Sequence, residues 1–169
     1  MKRFWSLARR YWFDALLLAG LGLALTGAVI GQGNTDGPTG PLWFDLLAIV
    51  AILTPLFARR RFPFGAPAAV GIAAVLTSFV DERLVPFDFI IFLAGCASVF
   101  LIGLIRERAQ AVAGLVLAWG VVAVVAYRDP IGNLDGFIAA SVIFLVVGLQ
   151  VLLYRTRWGL RTRAVGERL

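Results

Sequence analysis

Six long apolar stretches, separated by short gaps whose charge alternates in sign, constrain this 169-residue chain more than any single motif does. The stretches cover about residues 11–31, 42–58, 65–80, 87–105, 110–127 and 134–154. A helix needs about 20 apolar residues to cross the hydrocarbon core of a bilayer, with about 17–25 tolerated. The spacing therefore predicts an all-α polytopic bundle of six transmembrane helices, of which the second and third are short. Of the 16 basic residues, Lys2, Arg3, Arg9, Arg10, Arg59, Arg60, Arg61, Arg106, Arg108, Arg155, Arg157, Arg161, Arg163 and Arg168 occupy every other gap. The alternate gaps hold Arg83 and Arg128 against Asp36, Asp45, Asp81, Glu82, Asp88, Asp129 and Asp135. Basic residues accumulate on the cytoplasmic side of membrane proteins, so both termini are expected inside, in the plasma membrane of a bacterial cell.

Composition agrees with a lipid environment. The chain is 60% hydrophobic with a mean hydropathy of +0.88, where soluble domains are roughly 45–50% apolar. A net charge of +6 would suit nucleic acid, but sorting of the charge by membrane side points to orientation and to contact with anionic lipid instead. No nucleic-acid partner is expected; the lipid bilayer is. With no histidine and one cysteine, the chain has no His-dependent triad, imidazole metal ligand, phosphorylated histidine, intrachain disulfide or thiolate cluster. Cys96, inside an apolar run, reads as a packing thiol. Phosphate loops, dinucleotide-binding glycine patterns, metalloprotease motifs and nucleophile elbows are absent, so no catalytic, cofactor-binding or metal-ligating residue is assigned and an enzyme is not expected.

The first apolar run follows a basic segment but reads as a retained helix. It reaches or exceeds the roughly 7–15 residues of a signal-peptide core, and Gly31-Gln32-Gly33-Asn34 offers no small-residue cleavage site. Residues 33–38 are turn formers without apolar periodicity. Two further gaps, 81–86 and 128–133, each carry a proline expected to stop helix continuation. The domain organisation is a transmembrane domain over 1–154 and a basic cytoplasmic tail over 155–169.

Three groups of residues invite a functional reading. Asp45, beside Trp43 and Phe44, and Asp88, beside Phe87, lie near the ends of apolar runs. They are candidates for sensing a proton or cation, or else helix-end residues beside an aromatic belt. Gly20, Ala24, Gly27, Ala28 and Gly31 recur at close-packing intervals on the first helix. They suit a dimer seam or, as the abundance of Gly and Ala favours, ordinary packing within one bundle. Arg59, Arg60 and Arg61 form a tight inside-facing turn, with Arg155, Arg157 and Arg161 as the anchor where the last helix leaves the membrane.

The layout over about residues 10–145 resembles the membrane-spanning N-terminal region of bacterial two-component sensor histidine kinases, in the branch related to nitrate- and thermo-sensing kinases. Tyr11-Trp12-Phe13-Asp14-Ala15-Leu16-Leu17, Ala58-Arg59-Arg60-Arg61-Phe62-Pro63, Ser78-Phe79-Val80-Asp81, Val85-Pro86-Phe87 and the turns at 104–113 and 127–130 carry it. The resemblance implies a homodimeric input module whose last helix leads to cytoplasmic kinase domains. The tail departs from that pattern: Gly159 and Gly166 would each cost a signalling helix about 1 kcal/mol relative to Ala. Residues 154–167 instead resemble the cytoplasmic loop by which ABC-transporter permeases for sugars or nucleosides dock an ATPase. The expected function is a membrane-embedded sensor module with a cytoplasmic kinase partner. The alternative is a permease, or a fragment of one, with an ATPase partner.

Overall fold

The computed structural model describes residues 2–35, 37–105 and 107–129, together with 138, 141, 142, 145, 146 and 148. Every regular element among the described residues is helical. The elements are α1 (Lys2–Gly31), α2 (Leu42–Leu53), a 3-10 helix (Thr54–Arg60), α3 (Gly65–Val80), α4 (Leu84–Phe87), α5 (Phe89–Gly103) and α6 (Arg108–Arg128). Among the described residues, three helical segments are long and apolar enough to cross a membrane: Trp12–Gly31, Leu42–Arg60 and Ala109–Arg128. At 1.5 Å per residue, 20 residues extend about 30 Å, the thickness of a hydrocarbon core. α3, of 16 residues, and α5, of 15, are apolar but shorter.

The second long segment is one helix in sequence and two in structure. Pro55 lacks an N–H and its ring crowds the carbonyl four residues back, while the Thr54 hydroxyl donates to the Val50 carbonyl. Both effects end the α-helix at Leu53 and tighten the chain into the 3-10 run, which still points toward Arg60.

α3 is the spine, packed against α2, α5, α6 and the 3-10 helix, while α1 lies on α2 and α5. Small residues make these crossings close. A methyl at Gly71 of α3 would come within 2.9 Å of Val121 of α6, so the two backbones approach as helices do when lipid supplies no hydrophobic drive between them. The core comprises Ala24 and Ala28 of α1, Ala48, Ile49, Ile52 and Leu53 of α2, Leu56, Val70, Ala74, Leu84, Ile91 and Ala94.

Around this core the usual polarity of a protein is inverted. Leu16, Leu23 and Ile30 of α1, Leu47 of α2, Leu76 of α3 and Val116 of α6 are exposed, whereas Asp45, Ser78, Asp81 and Asp88 are buried. That distribution suits a solvent as apolar as the side chains facing it. The bundle has an arginine end, with Asp14 and Arg59–Arg61, and an acidic end, where α1 finishes, α2 begins, α3 finishes and α5 begins. The segment expected over residues 134–154 lies almost wholly outside the described residues.

Candidate functional site

The acidic end is built around a loop whose backbone needs anchoring. Between α1 and α2 the residues Gly37-Pro38-Thr39-Gly40-Pro41 form no regular structure, so their N–H groups require acceptors from elsewhere. Asp81, the residue after α3, supplies them. Its Oδ2 accepts from the Thr39 N–H at 3.0 Å and the Gly40 N–H at 2.8 Å. Its Oδ1 accepts from the Thr39 hydroxyl at 3.2 Å and the Arg83 N–H at 2.9 Å. An ionised carboxylate offers about four acceptor positions, and all are taken. Asp81 is 1% exposed.

Asp45 lies against this knot. It occupies the first turn of α2, where the helix dipole favours negative charge, and it is 0% exposed. Neither of its carboxyl oxygens has a hydrogen-bond donor, and its polar side-chain neighbours are Gln32 and Asp81. Gly40 marks how close the two acids come: a methyl there would sit 2.8 Å from Asp45 Oδ1 and 3.0 Å from Asp81 Oδ2. Only a glycine leaves the space between them free. Gln32 directs its amide nitrogen to the Gly40 carbonyl at 3.5 Å.

Asp88 has a more local task. It is the N-cap of α5, its Oδ1 accepting from the Ile90 N–H at 2.8 Å and from the Ile91 N–H at 3.4 Å, which satisfies amides left open at a helix start. Its other oxygen, Oδ2, is buried without a partner. The expected helix start at residue 87 is therefore two residues early. Pro86, expected to stop helix continuation, lies inside the single turn α4, which ends one residue later at Phe87; its missing N–H has no intrahelical acceptor to lose there.

Asp45, Asp81 and Asp88 receive no ion pair among the described residues. Arg83 sends its guanidinium to the Thr35 carbonyl at 2.8 Å, and Arg128 sends Nε to the Ser78 carbonyl at 3.1 Å while lying 4.8 Å from the Phe79 ring centroid. No three of Cys, Asp and Glu gather as metal ligands among the described residues.

No family model, curated protein or solved structure matches this chain.

At the arginine end, Asp14 of α1 grips two residues of the 3-10 helix, Arg59 at 2.7 Å and Arg60 at 3.1 Å. Arg59 also donates to the Leu56 carbonyl at 3.0 Å and lies 4.1 Å from the Phe13 ring centroid. Arg61 faces Phe62. The small residues of α1 divide between two faces. Ala24 and Ala28 are in the core, a methyl at Gly20 would meet Ile90, and one at Gly31 would strike the Phe87 ring at 2.6 Å. Gly27 opens onto free space. Arg155, Arg157 and Arg161, Asp135 and the tail over 155–169 lie outside the described residues.

In the sequence Asp81 reads as a loop charge and as the end of the Ser78-Phe79-Val80-Asp81 stretch, while its place directly after an apolar helix and before a second acid is a signal for a C-terminal knot. The pairing with Thr39 and Gly40 spans a separation that periodicity does not encode.

Proposed function

We propose that this chain is a membrane-embedded input module of a histidine-kinase-type signalling system, a six-helix bundle with both termini in the cytoplasm. The observation that carries the reading is the path between the ends. α2 begins at the buried, donorless Asp45 and leads through the 3-10 helix into the Arg59–Asp14 clamp on α1. A change in charge at Asp45 acts on the first turn of α2, and any displacement of that helix reaches α1 through the clamp. The 3-10 segment at Pro55 is a natural hinge in this path. The distribution of arginines supports the orientation, which places the acidic end outside and the clamp at the cytoplasmic face.

These residues include no histidine, so phosphoryl transfer falls to kinase domains that lie further along the same protein or on a partner, and the input module supplies packing differences that those domains read. Co-purification of the tagged full chain from detergent, with a differently tagged second copy, tests this. A homodimer that retains a kinase is expected. Recovery of an ATPase subunit in place of a kinase would overturn the sensor reading and favour the permease.

A further inference from the structure

We propose that the arginine turn between the 3-10 helix and α3 is a docking surface for an anionic phospholipid, with Arg60 and Arg61 on the headgroup phosphate and the Phe62 ring among the first carbons of the acyl chains. The proposal names a regulator of the Arg59–Asp14 clamp, and for that role it rests on the sensor reading above.

The three consecutive arginines have three different settings. Arg59 is turned inward, committed to Asp14, the Leu56 carbonyl and the Phe13 ring. Arg60 reaches the same carboxylate at 3.1 Å but leaves 47% of its side chain uncovered. Arg61 is exposed and lies 5.6 Å from the ring centroid of Phe62, which is exposed as well. One carboxylate thus stands against three guanidiniums, and the excess of positive charge sits on the two arginines that reach the surface. The other described acid at this end, Glu107, stands before α6 and faces outward.

Depth selects the partner. Arg60 is the last residue of the apolar helical segment Leu42–Arg60, and the exposed Trp12 is the first of Trp12–Gly31. Asp14 ties these two ends together, so the apolar exterior of both helices stops where the arginines begin. Aromatic rings at such a border, with cations just beyond it, match the boundary between acyl chains and anionic headgroups. The guanidinium fork pairs with phosphate through two parallel hydrogen bonds. A lipid phosphate also brings apolar chains to cover Phe62, whereas inorganic phosphate or an acidic peptide supplies the charge and leaves that ring in water.

Occupancy has a consequence for the clamp. A phosphate on Arg60 competes with Asp14 for the same guanidinium, after which Arg59 holds the carboxylate alone. Anionic lipid therefore converts a two-arginine grip on α1 into a one-arginine grip.

The test is native mass spectrometry of the full chain from detergent, titrated with phosphatidylglycerol or with phosphatidylcholine of the same chains, whose choline places a cation beside the phosphate. Retention of phosphatidylglycerol is expected, weaker by about fivefold for each arginine removed in Arg60→Gln and Arg61→Gln, and unchanged in Arg128→Gln at the acidic end. Arg61 is exposed and outside the clamp, so Arg61→Gln keeps the test decisive if the Arg60 variant fails to fold. Equal retention of the two lipids overturns the proposal, and so does undiminished retention by Arg61→Gln. Displacement of the lipid by an equal concentration of inorganic phosphate or of a glutamate-rich peptide would also overturn it. Lipid binding that moves neither self-association nor kinase activity upholds the docking surface and removes its link to the sensor reading.

Discussion

Asp14 and Arg59 meet at 2.7 Å across the junction of α1 with the 3-10 helix, and the same guanidinium lies 4.1 Å from the ring centroid of Phe13. The Arg59 side chain is only 10% exposed, so this pair is poorly screened by water and differs in kind from a surface salt bridge. Asp14→Ala leaves a covered guanidinium with one carbonyl and one ring for partners. A loss of about 1–3 kcal/mol is expected, read as a lower midpoint of thermal unfolding in detergent. Asp14→Glu should recover part of it; equal losses in both variants would show that the clamp contributes through packing alone.

Gly40→Ala tests the crowding at the acidic end. The added methyl falls within 3.0 Å of both carboxylates, and overpacking of this kind costs typically about 1–3 kcal/mol. Limited proteolysis should report it as faster cleavage between residues 33 and 41, with cleavage elsewhere unchanged.

Asp88 is expected to behave as a cap. Asp88→Ser keeps an oxygen for the Ile90 and Ile91 amides and should cost little, whereas Asp88→Ala should cost about 0.5–2 kcal/mol. Should the Ser variant abolish a signalling response while keeping stability, Asp88 would rejoin Asp45 as an input residue.

The small residues of α1 separate two kinds of packing. Gly31→Leu drives a side chain into Phe87 and should destabilise the single chain. Gly27→Leu fills open space and should leave the unfolding midpoint unchanged. If Gly27 lies on a dimer seam, the same change lowers self-association in a detergent titration; unchanged association assigns the seam elsewhere.

Orientation can be read with single cysteines after Cys96→Ala. A cysteine at Thr39 should react with an impermeant maleimide added to intact cells, and one at Arg61 only after the membrane is opened. The reverse pattern would turn the proposed topology over.

Much of the helical plan was legible in the chain because each apolar run is bounded by a residue with a physical reason to stop it. α3 occupies the expected residues 65–80, and α1 ends at the expected Gly31. The expected second helix reached residue 58 without interruption, although Pro55 foretold the change to 3-10 geometry. Likewise Asp88 reads as a helix cap once Phe89-Ile90-Ile91 follows it. The knot at Asp81 was not legible, since its partners lie 41 and 42 residues earlier and neither hydropathy nor charge counting links residues so far apart. The difference is one of range: local punctuation is written in neighbouring residues, and long-range hydrogen bonds are not.

The separation between Gly40 and Asp81 has a consequence for biogenesis. A ribosome adding roughly 5–20 residues per second delivers Thr39 and Gly40 about 2–8 s before the carboxylate that anchors them. Through that interval Thr39 and Gly40 must hydrogen-bond to water, and Asp45 has no acidic neighbour. On the proposed topology the hairpin enters the bilayer with an open mouth, and arrival of the end of α3 closes it. A ribosome stall or a truncation before residue 81 would leave an inserted hairpin with unpaired loop amides, a form that quality-control proteases are equipped to recognise.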